Sequence, residues 1–184
     1  MRKKISINIL DILLIFCVFI CIESISIATY ETAVLGEKEE KRNRTISKQI
    51  AEEQMANLSE QEQEVLSLVN EYRLQNGLNK LEPLAELQNV AKLKAEDLVE
   101  NNYFSHTSER LGTPFEMLRN NRIDYSIAGE NLAGNISAKK AVNAWINSKS
   151  HRENILEKKY EYTGIYIIES PIYGNIYVQI FIGI

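Results

Sequence analysis

The feature that most constrains the fold is a change of periodicity along the chain. From Ser59 onwards, apolar residues recur at the three- and four-residue spacing of amphipathic helices. Near the C-terminus, two runs rich in β-branched and aromatic residues, 163–168 and 176–182, flank a turn that contains Pro171 and Gly174. Helices first and a strand hairpin last predict an α+β fold with helices packed on a small antiparallel sheet.

The helices are marked by their first residues. Ser59 with Glu62, and Thr113 with Glu116, each match the capping box, in which two side chains satisfy free main-chain amides at a helix start. The last strand carries apolar residues on both faces, which predicts a sheet covered by helices on both sides. The sequence predicts five helices in this domain, beginning near Ser59, Pro83, Thr113, Ser137 and Ser150.

The N-terminus has the pattern of an export signal. Three basic residues at positions 2–4 precede an apolar run, 12–22, and small residues follow at Ser26 and Ala28. The run is shorter than the roughly 20 residues that span a bilayer, which favours cleavage over anchoring. We therefore predict a signal peptide in 1–28, with an N-terminal membrane anchor as the alternative.

The rest of the chain divides at the first capping box. Residues 29–58 carry mixed charge and little apolar content, which indicates a solvated spacer, with a helix predicted from Ser47 to Ala56. Residues 59–184 form the predicted domain. The chain is thus expected to be secreted, extracellular or in the cell envelope, and to meet a membrane only through its N-terminal segment.

The composition excludes several functions. Cys17 and Cys21 are the two cysteines and lie in the apolar run, so the cleaved chain has no thiol for catalysis or zinc binding. The formal net charge is −4, without a basic patch, which argues against a nucleic-acid partner.

The two histidines of the chain lie in its most distinctive segments. His106 ends a Tyr-Phe-Ser-His run, His151 lies in Ser-His-Arg-Glu-Asn, and Glu130 stands between them in Gly-Glu-Asn-Leu. Imidazole binds metals and changes charge near neutral pH. The spacing is not a local ligand motif. From the residues alone, the histidines are a metal site or ordinary hydrogen-bonded groups, and Glu130 is a ligand or an acceptor that locks a loop.

The order of the motifs resembles the CAP superfamily, which comprises cysteine-rich secretory proteins, antigen 5 and pathogenesis-related class 1 proteins and whose domain is also called the SCP domain. The resemblance covers about residues 62–183 and is to the short, cysteine-free bacterial branch. It is carried by the segments 68–73, 91–98, 103–106, 129–133, 144–148 and 151–156, followed by 164–166.

This resemblance implies an α-β-α sandwich with a central cleft. In animal and plant members the cleft holds two histidines and two acids, which can bind a divalent metal such as zinc. His106, Glu130 and His151 match three of these positions, and Ser148 occupies the position of the second acid. The resemblance thus implies Zn²⁺ or another divalent cation at the three matching residues, which are also the candidates for any catalysis.

The motifs favour a binding or interaction module over an enzyme. A hydrolase needs a base, an oxyanion stabiliser and a placed nucleophile, and the sequence offers no nucleophile other than metal-bound water. The expected occupant of the cleft is a small ligand, a glycan or a peptide. Two alternatives stay open: a metal-assisted or His/Glu-dependent hydrolase of peptides or cell wall, and a structural protein of the envelope or spore coat.

Overall fold

The computed structural model describes residues 34–50, 53–55 and 57–184, which belong to two compact units, Met1–Gln49 and Ile50–Ile184. In the first unit, residues 34–49 are helical and almost entirely exposed. Lys41 pairs with Glu37, and Arg44 with Glu40, one helical turn apart. Such pairs support a solvated helix, which begins well before the predicted start at Ser47.

The predicted signal peptide or anchor in 1–28, with both cysteines, lies outside the described residues. Within the part of the chain that is described, no helix is both long and apolar enough to cross a membrane.

From residue 57 to the C-terminus the chain forms five helices. The predicted capping boxes at Ser59 and Thr113 are confirmed. The prediction at Ser150 is wrong, because the last helix follows Ser148 and no side chain caps it. The second helix begins two residues later than predicted, because Pro83 lies in a strand. The helices are α1 (Glu60–Gln75), α2 (Ala85–Glu100), α3 (Pro114–Asn120), α4 (Ala138–Asn147) and α5 (Lys149–Ile155).

Within residues 57–184, four strands form a mixed sheet: β1 (Glu82–Pro83), β2 (Ile127–Asn135), β3 (Tyr162–Ser170) and β4 (Gly174–Gly183). Their order in the sheet is β1-β3-β4-β2. The predicted hairpin is confirmed as the antiparallel pair β3 and β4, but β1 runs parallel to β3, so the sheet is not purely antiparallel. Strand β2 pairs with β4 at one edge and was not predicted, because its Gly- and Asn-containing sequence has low strand propensity.

Helices cover both faces of this sheet, which confirms the α+β sandwich. Tyr177 and Phe181 of β4 face a core shared with α1 and α4, and Val178 and Ile180 face a core shared with α2 and α3. Helix α2 lies so close to β3 that a Cβ atom on Gly164 would collide with the main chain of α2. The helix that leads into the His106 loop is thereby held against the sheet.

Trp145 joins α4 to the edge strand. Its ring is buried, and its Nε1 donates a hydrogen bond to the main-chain oxygen of Leu132, at 3.0 Å. The indole therefore fixes where α4 ends, and with it the start of α5, which carries His151.

Candidate functional site

The centre of the candidate site is a hydrogen bond between His106 and Glu130. His106 lies on the loop after α2, and Glu130 lies in β2. The His106 Nδ1 atom is 2.6 Å from the Glu130 Oε1 atom. The imidazole side chain is 53% exposed while the carboxylate side chain is 2% exposed. A buried acid therefore holds an accessible imidazole by one nitrogen, which leaves Nε2 as the His106 atom that can meet a ligand.

His151 stands beside this pair, in the first turn of α5. The centroids of the two imidazole rings are 6.4 Å apart, and the ring planes meet at 51°. Burial, assisted by the charge of His106, lowers the pKa of the half-buried His151 ring. His151 therefore favours the neutral form, which is the form that binds metals and accepts protons.

Two asparagines fix α5 against β2. The Asn131 Nδ2 atom donates to the main-chain oxygen of His151 at 3.1 Å. Asn154 Nδ2 donates both to the Asn131 Oδ1 atom and to the main-chain oxygen of Glu130. A Cβ atom on Gly129 would collide with the Tyr160 hydroxyl and press against the Asn154 Oδ1 atom, which explains the glycine before Glu130. The Gly-Glu-Asn motif therefore acts as a strand segment that aligns both histidines.

The charge of Glu130 is poorly compensated by direct contacts. Its Oε2 atom is buried and has no hydrogen-bond partner among the described residues. Burial raises the pKa of the Glu130 carboxyl, while the hydrogen bond from His106 and the positive charge of Lys94 act in the opposite direction. The alternative prediction was that Glu130 locks a loop by accepting hydrogen bonds from main-chain amides. Its side chain instead hydrogen-bonds to the imidazole of His106.

A second polar cluster holds the loop that carries His106. The Asp97 carboxylate of α2 is fully buried and accepts hydrogen bonds from several side chains of this loop and of the helix end. Burial raises the pKa of Asp97, but these hydrogen bonds and the charge of Arg110 outweigh that effect, so the pKa lies below its usual value. The donors are Asn101, Tyr103, Ser108 and Arg110.

Lys94, one turn before Asp97, completes this cluster. Its side chain is fully buried, and its Nζ atom donates to the Tyr103 hydroxyl at 3.1 Å and to the main-chain oxygen of His106 at 3.2 Å. Neither Lys94 nor Asp97 was predicted as a functional residue. The sequence does contain one indication for Lys94. It lies on the same helical face as the apolar Ala91, Ala95 and Leu98, where a lysine is exceptional.

The three residues predicted as metal ligands are thus brought together, as two neighbouring imidazoles and a carboxylate that hydrogen-bonds to one of them. Among the residues that the structure describes, no group of three or more His, Cys, Asp or Glu side chains is placed to hold a metal ion. Two neighbouring imidazoles, one of them held at its Nδ1 atom by a carboxylate, are nevertheless donors of the kind that divalent cations bind. Ser148, at the position of the lost acid, caps no amide and lies near Ser150.

Comparison with known proteins agrees with this architecture. The family model described as the cysteine-rich secretory protein family, CAP, matches residues 66–181. The chain belongs to the CAP family. Its domain is 38% identical over 129 residues to the protein YkwD of Bacillus subtilis strain 168, which covers 70% of this chain and 49% of that protein. The chain therefore spans about half the length of this curated relative.

Solved structures of bacterial CAP domains have the same fold. An extracellular protein containing a SCP domain, from Bacillus anthracis strain Ames, matches with a TM-score of 0.63 and 30% identity, over 67% of this chain and 40% of that one. An outer surface protein of Borrelia burgdorferi matches with a TM-score of 0.60 and 31% identity, over 65% of this chain and 89% of that one. The predicted family and its bacterial branch are confirmed.

Proposed function

We propose that this CAP domain is an exported, non-catalytic binding module whose ligand contacts the imidazoles of His106 and His151. The observation that carries this proposal is the 2.6 Å hydrogen bond between the His106 Nδ1 atom and the buried carboxylate of Glu130. It presents the accessible nitrogen of an oriented imidazole next to a second, largely neutral imidazole. Such a pair suits a polar group of a glycan or peptide, or a divalent cation.

A binding role is favoured over hydrolysis by the neighbours of the imidazoles. Among the described residues, no serine or threonine hydroxyl hydrogen-bonds to either ring, so no side chain is poised to attack a substrate. The second acid of the animal and plant sites is replaced by Ser148. A hydrolase would consequently depend on a bound metal to supply an activated water.

A divalent cation would be held by His106 and His151, with Glu130 orienting His106 and increasing its basicity. When bound, the cation would act as a Lewis acid toward an oxygen of the ligand. With two imidazoles and no carboxylate placed as a third direct ligand, we expect its affinity to be lower than that of a zinc site with three protein ligands.

Export is supported by the relatives and by the N-terminal pattern. The Bacillus anthracis relative is an extracellular protein and the Borrelia burgdorferi relative is an outer surface protein. We infer that this domain also works outside the cytoplasm, either released or held at the envelope by its N-terminal segment. Cell fractionation of the producing organism with an antibody against the domain would test this, and a cytoplasmic signal would contradict it.

Calorimetric titration with Zn²⁺ at pH 7.5 tests the cation part of the proposal. We expect the wild-type protein to bind and the His106→Ala and His151→Ala variants to lose binding. Glu130→Gln should weaken binding by about tenfold, the size usual for partners of metal ligands. Glu116→Gln is the matched control, because Glu116 is an exposed acid whose side chain hydrogen-bonds to Thr113 at the start of α3. Equal heats in the wild type and both histidine variants would remove the cation site.

The organic ligand is tested by nuclear magnetic resonance with a soluble muropeptide, a disaccharide that carries a short peptide. Binding should shift the ring signals of both histidines, and the His106→Ala variant should lose the shifts of His151 as well. Incubation of the same muropeptide with the protein, with and without Zn²⁺, tests the alternative. Cleavage that disappears in both histidine variants would replace the binding role with hydrolysis.

A further inference from the structure

We propose that a cavity at the end of α2 is a second binding site of this domain and that it takes a pyranose unit of a glycan. The proposal rests on the proposed function for the class of ligand, but it uses none of the residues that would hold a cation. The cavity has a volume of about 590 Å³ and is lined by the end of α2 and by the loop that carries His106. Sites for small molecules have volumes of roughly 300–1,000 Å³.

The cavity presents polar groups of several kinds beside an aromatic side chain. Amide, hydroxyl, carboxylate and guanidinium groups line it, and they belong to Asn101, Ser105, Thr107, Glu109 and Arg110. Glu109 and Arg110 contribute one charge of each sign, so the lining does not select an ion of either sign. Tyr103 adds an aromatic side chain. A pyranose, which is neutral and combines hydroxyls with apolar C–H groups, suits this mixture.

The buried Asp97 carboxylate orients two of the polar groups. Its Oδ1 atom accepts hydrogen bonds from the Arg110 Nε atom at 2.8 Å and from the Asn101 Nδ2 atom at 2.9 Å. The first bond leaves the two terminal nitrogens of the guanidinium as donors, and the second leaves the Asn101 Oδ1 atom as an acceptor. Each hydroxyl of a sugar both donates and accepts. A donor fork and an acceptor fixed by one carboxylate therefore match neighbouring hydroxyls of a pyranose.

The loop itself supplies the remaining polar groups. Glu109 is exposed and makes no hydrogen bond or ion pair within the described part of the chain, so its carboxylate is free to accept from a hydroxyl. The Ser105 Oγ atom accepts from the Thr107 main-chain nitrogen at 3.2 Å, which leaves its own hydrogen to donate. The ring of His106, which lies between these two residues in sequence, instead contacts Glu130. Substitution can therefore separate the cavity from the histidine pair.

The test is a titration of the full chain with the uncharged disaccharide of N-acetylglucosamine, followed by main-chain ¹H–¹⁵N spectra. We expect shifts in the amide signals of residues 101–110, and none there with the peptide part of the muropeptide. Arg110→Lys keeps a positive charge beside Asp97 but replaces the fork by a single nitrogen, so it should weaken disaccharide binding by about tenfold. Arg119→Lys is the matched control, because Arg119 is exposed on α3 and should bind as the wild type does.

Glu109→Ala keeps the experiment decisive if Arg110→Lys disturbs the loop, because Glu109 gives no hydrogen bond to Asp97. This variant should also weaken disaccharide binding by about tenfold. Wild-type affinity in Glu109→Ala and in a folded Arg110→Lys would overturn the proposal. So would an equal loss in Arg119→Lys, the absence of shifts with the disaccharide, or shifts at 101–110 with the peptide alone.

The same spectra distinguish this site from the histidine site. Disaccharide binding that persists in His106→Ala, in a protein whose histidine signals respond to neither Zn²⁺ nor the muropeptide, would uphold the cavity and remove the histidine site alone. Histidine signals that shift with the muropeptide, without any response of residues 101–110 to the disaccharide, would remove the cavity alone.

Discussion

Arg73 gives the sharpest stability prediction, because a fully buried cation there bonds to four main-chain oxygens. Its guanidinium donates to residues of the turn after α1, to the last residue of α5 and to the segment that follows α5, at 2.7–3.1 Å. The site helix α5 is thereby tied at its C-terminal end to α1. The four acceptor residues are Asn79, Ile155, Glu157 and Tyr160.

Arg73→Met keeps an unbranched side chain that reaches about as far as the Nε atom of arginine, and it removes all four bonds. A hydrogen bond to a charged group contributes about 1.5–3 kcal/mol, but such contributions are not additive and the cost of burying the cation is removed as well. We therefore expect the free energy of unfolding to fall by about 3–5 kcal/mol. For a domain of this size, that corresponds to a decrease of about 10–20 °C in the melting temperature.

Urea unfolding followed by circular dichroism measures this change, with Arg119→Met as the control. Arg119 is exposed on α3, so its substitution should alter stability by less than about 0.5 kcal/mol. Hydrogen exchange should also show faster exchange in α5 for Arg73→Met than for the control. A loss below about 1 kcal/mol in Arg73→Met, with α5 still protected, would refute the reasoning that this cation joins the two helices.

Three further predictions follow from the packing and the buried charges. Gly164→Ala should lower stability by about 1–3 kcal/mol in urea unfolding, because the added Cβ atom collides with the main chain of α2; an unchanged midpoint would contradict the close approach. The folded pKa of Asp97 lies below its unfolded value, so its stabilisation is present above about pH 4 and is lost as the pH falls through the folded pKa. The difference in melting temperature between wild type and Asp97→Asn should therefore be constant near neutral pH and shrink in acid, and a difference that grows in acid would reverse this sign. Trp145→Phe should cost about 1–3 kcal/mol, because it leaves the main-chain oxygen of Leu132 without the indole donor, and a calorimetric melting curve identical to that of the wild type would show that this bond is dispensable.

The parts of the fold that were predictable have local signals. The capping boxes at Ser59 and Thr113 combine a side-chain pattern with an apolar stripe, and both are read within four residues of sequence. The hairpin is indicated by two segments rich in β-branched residues with a turn sequence between them. Strand β2 has neither signal: its residues include Gly129, Asn131 and Gly134, and it becomes a strand because β4 pairs with it along its whole length. Tertiary pairing there overrides the local preference.

The candidate site likewise has a part that the sequence predicts and a part that only the fold determines. The motifs place His106, Glu130 and His151 by resemblance, and the structure brings them together. The hydrogen bond between Glu130 and the imidazole of His106 depends on a distance between two segments that no sequence spacing encodes. Lys94 was missed because helical periodicity assigns its face to the apolar core, and only the fold shows that its Nζ atom reaches the main-chain oxygen of His106.

The position of β2 at the edge of the sheet has a consequence for self-association. Edge strands offer free main-chain groups to which another chain can add a strand, and aggregation often starts there. Two main-chain oxygens of β2 already accept hydrogen bonds from side chains of the helices that follow it. The oxygen of Glu130 accepts from Asn154, and the oxygen of Leu132, two residues later, accepts from Trp145. The residues that align the histidines thus also close this border of the sheet, and weakening them would expose a surface on which fibrils or domain-swapped dimers could grow.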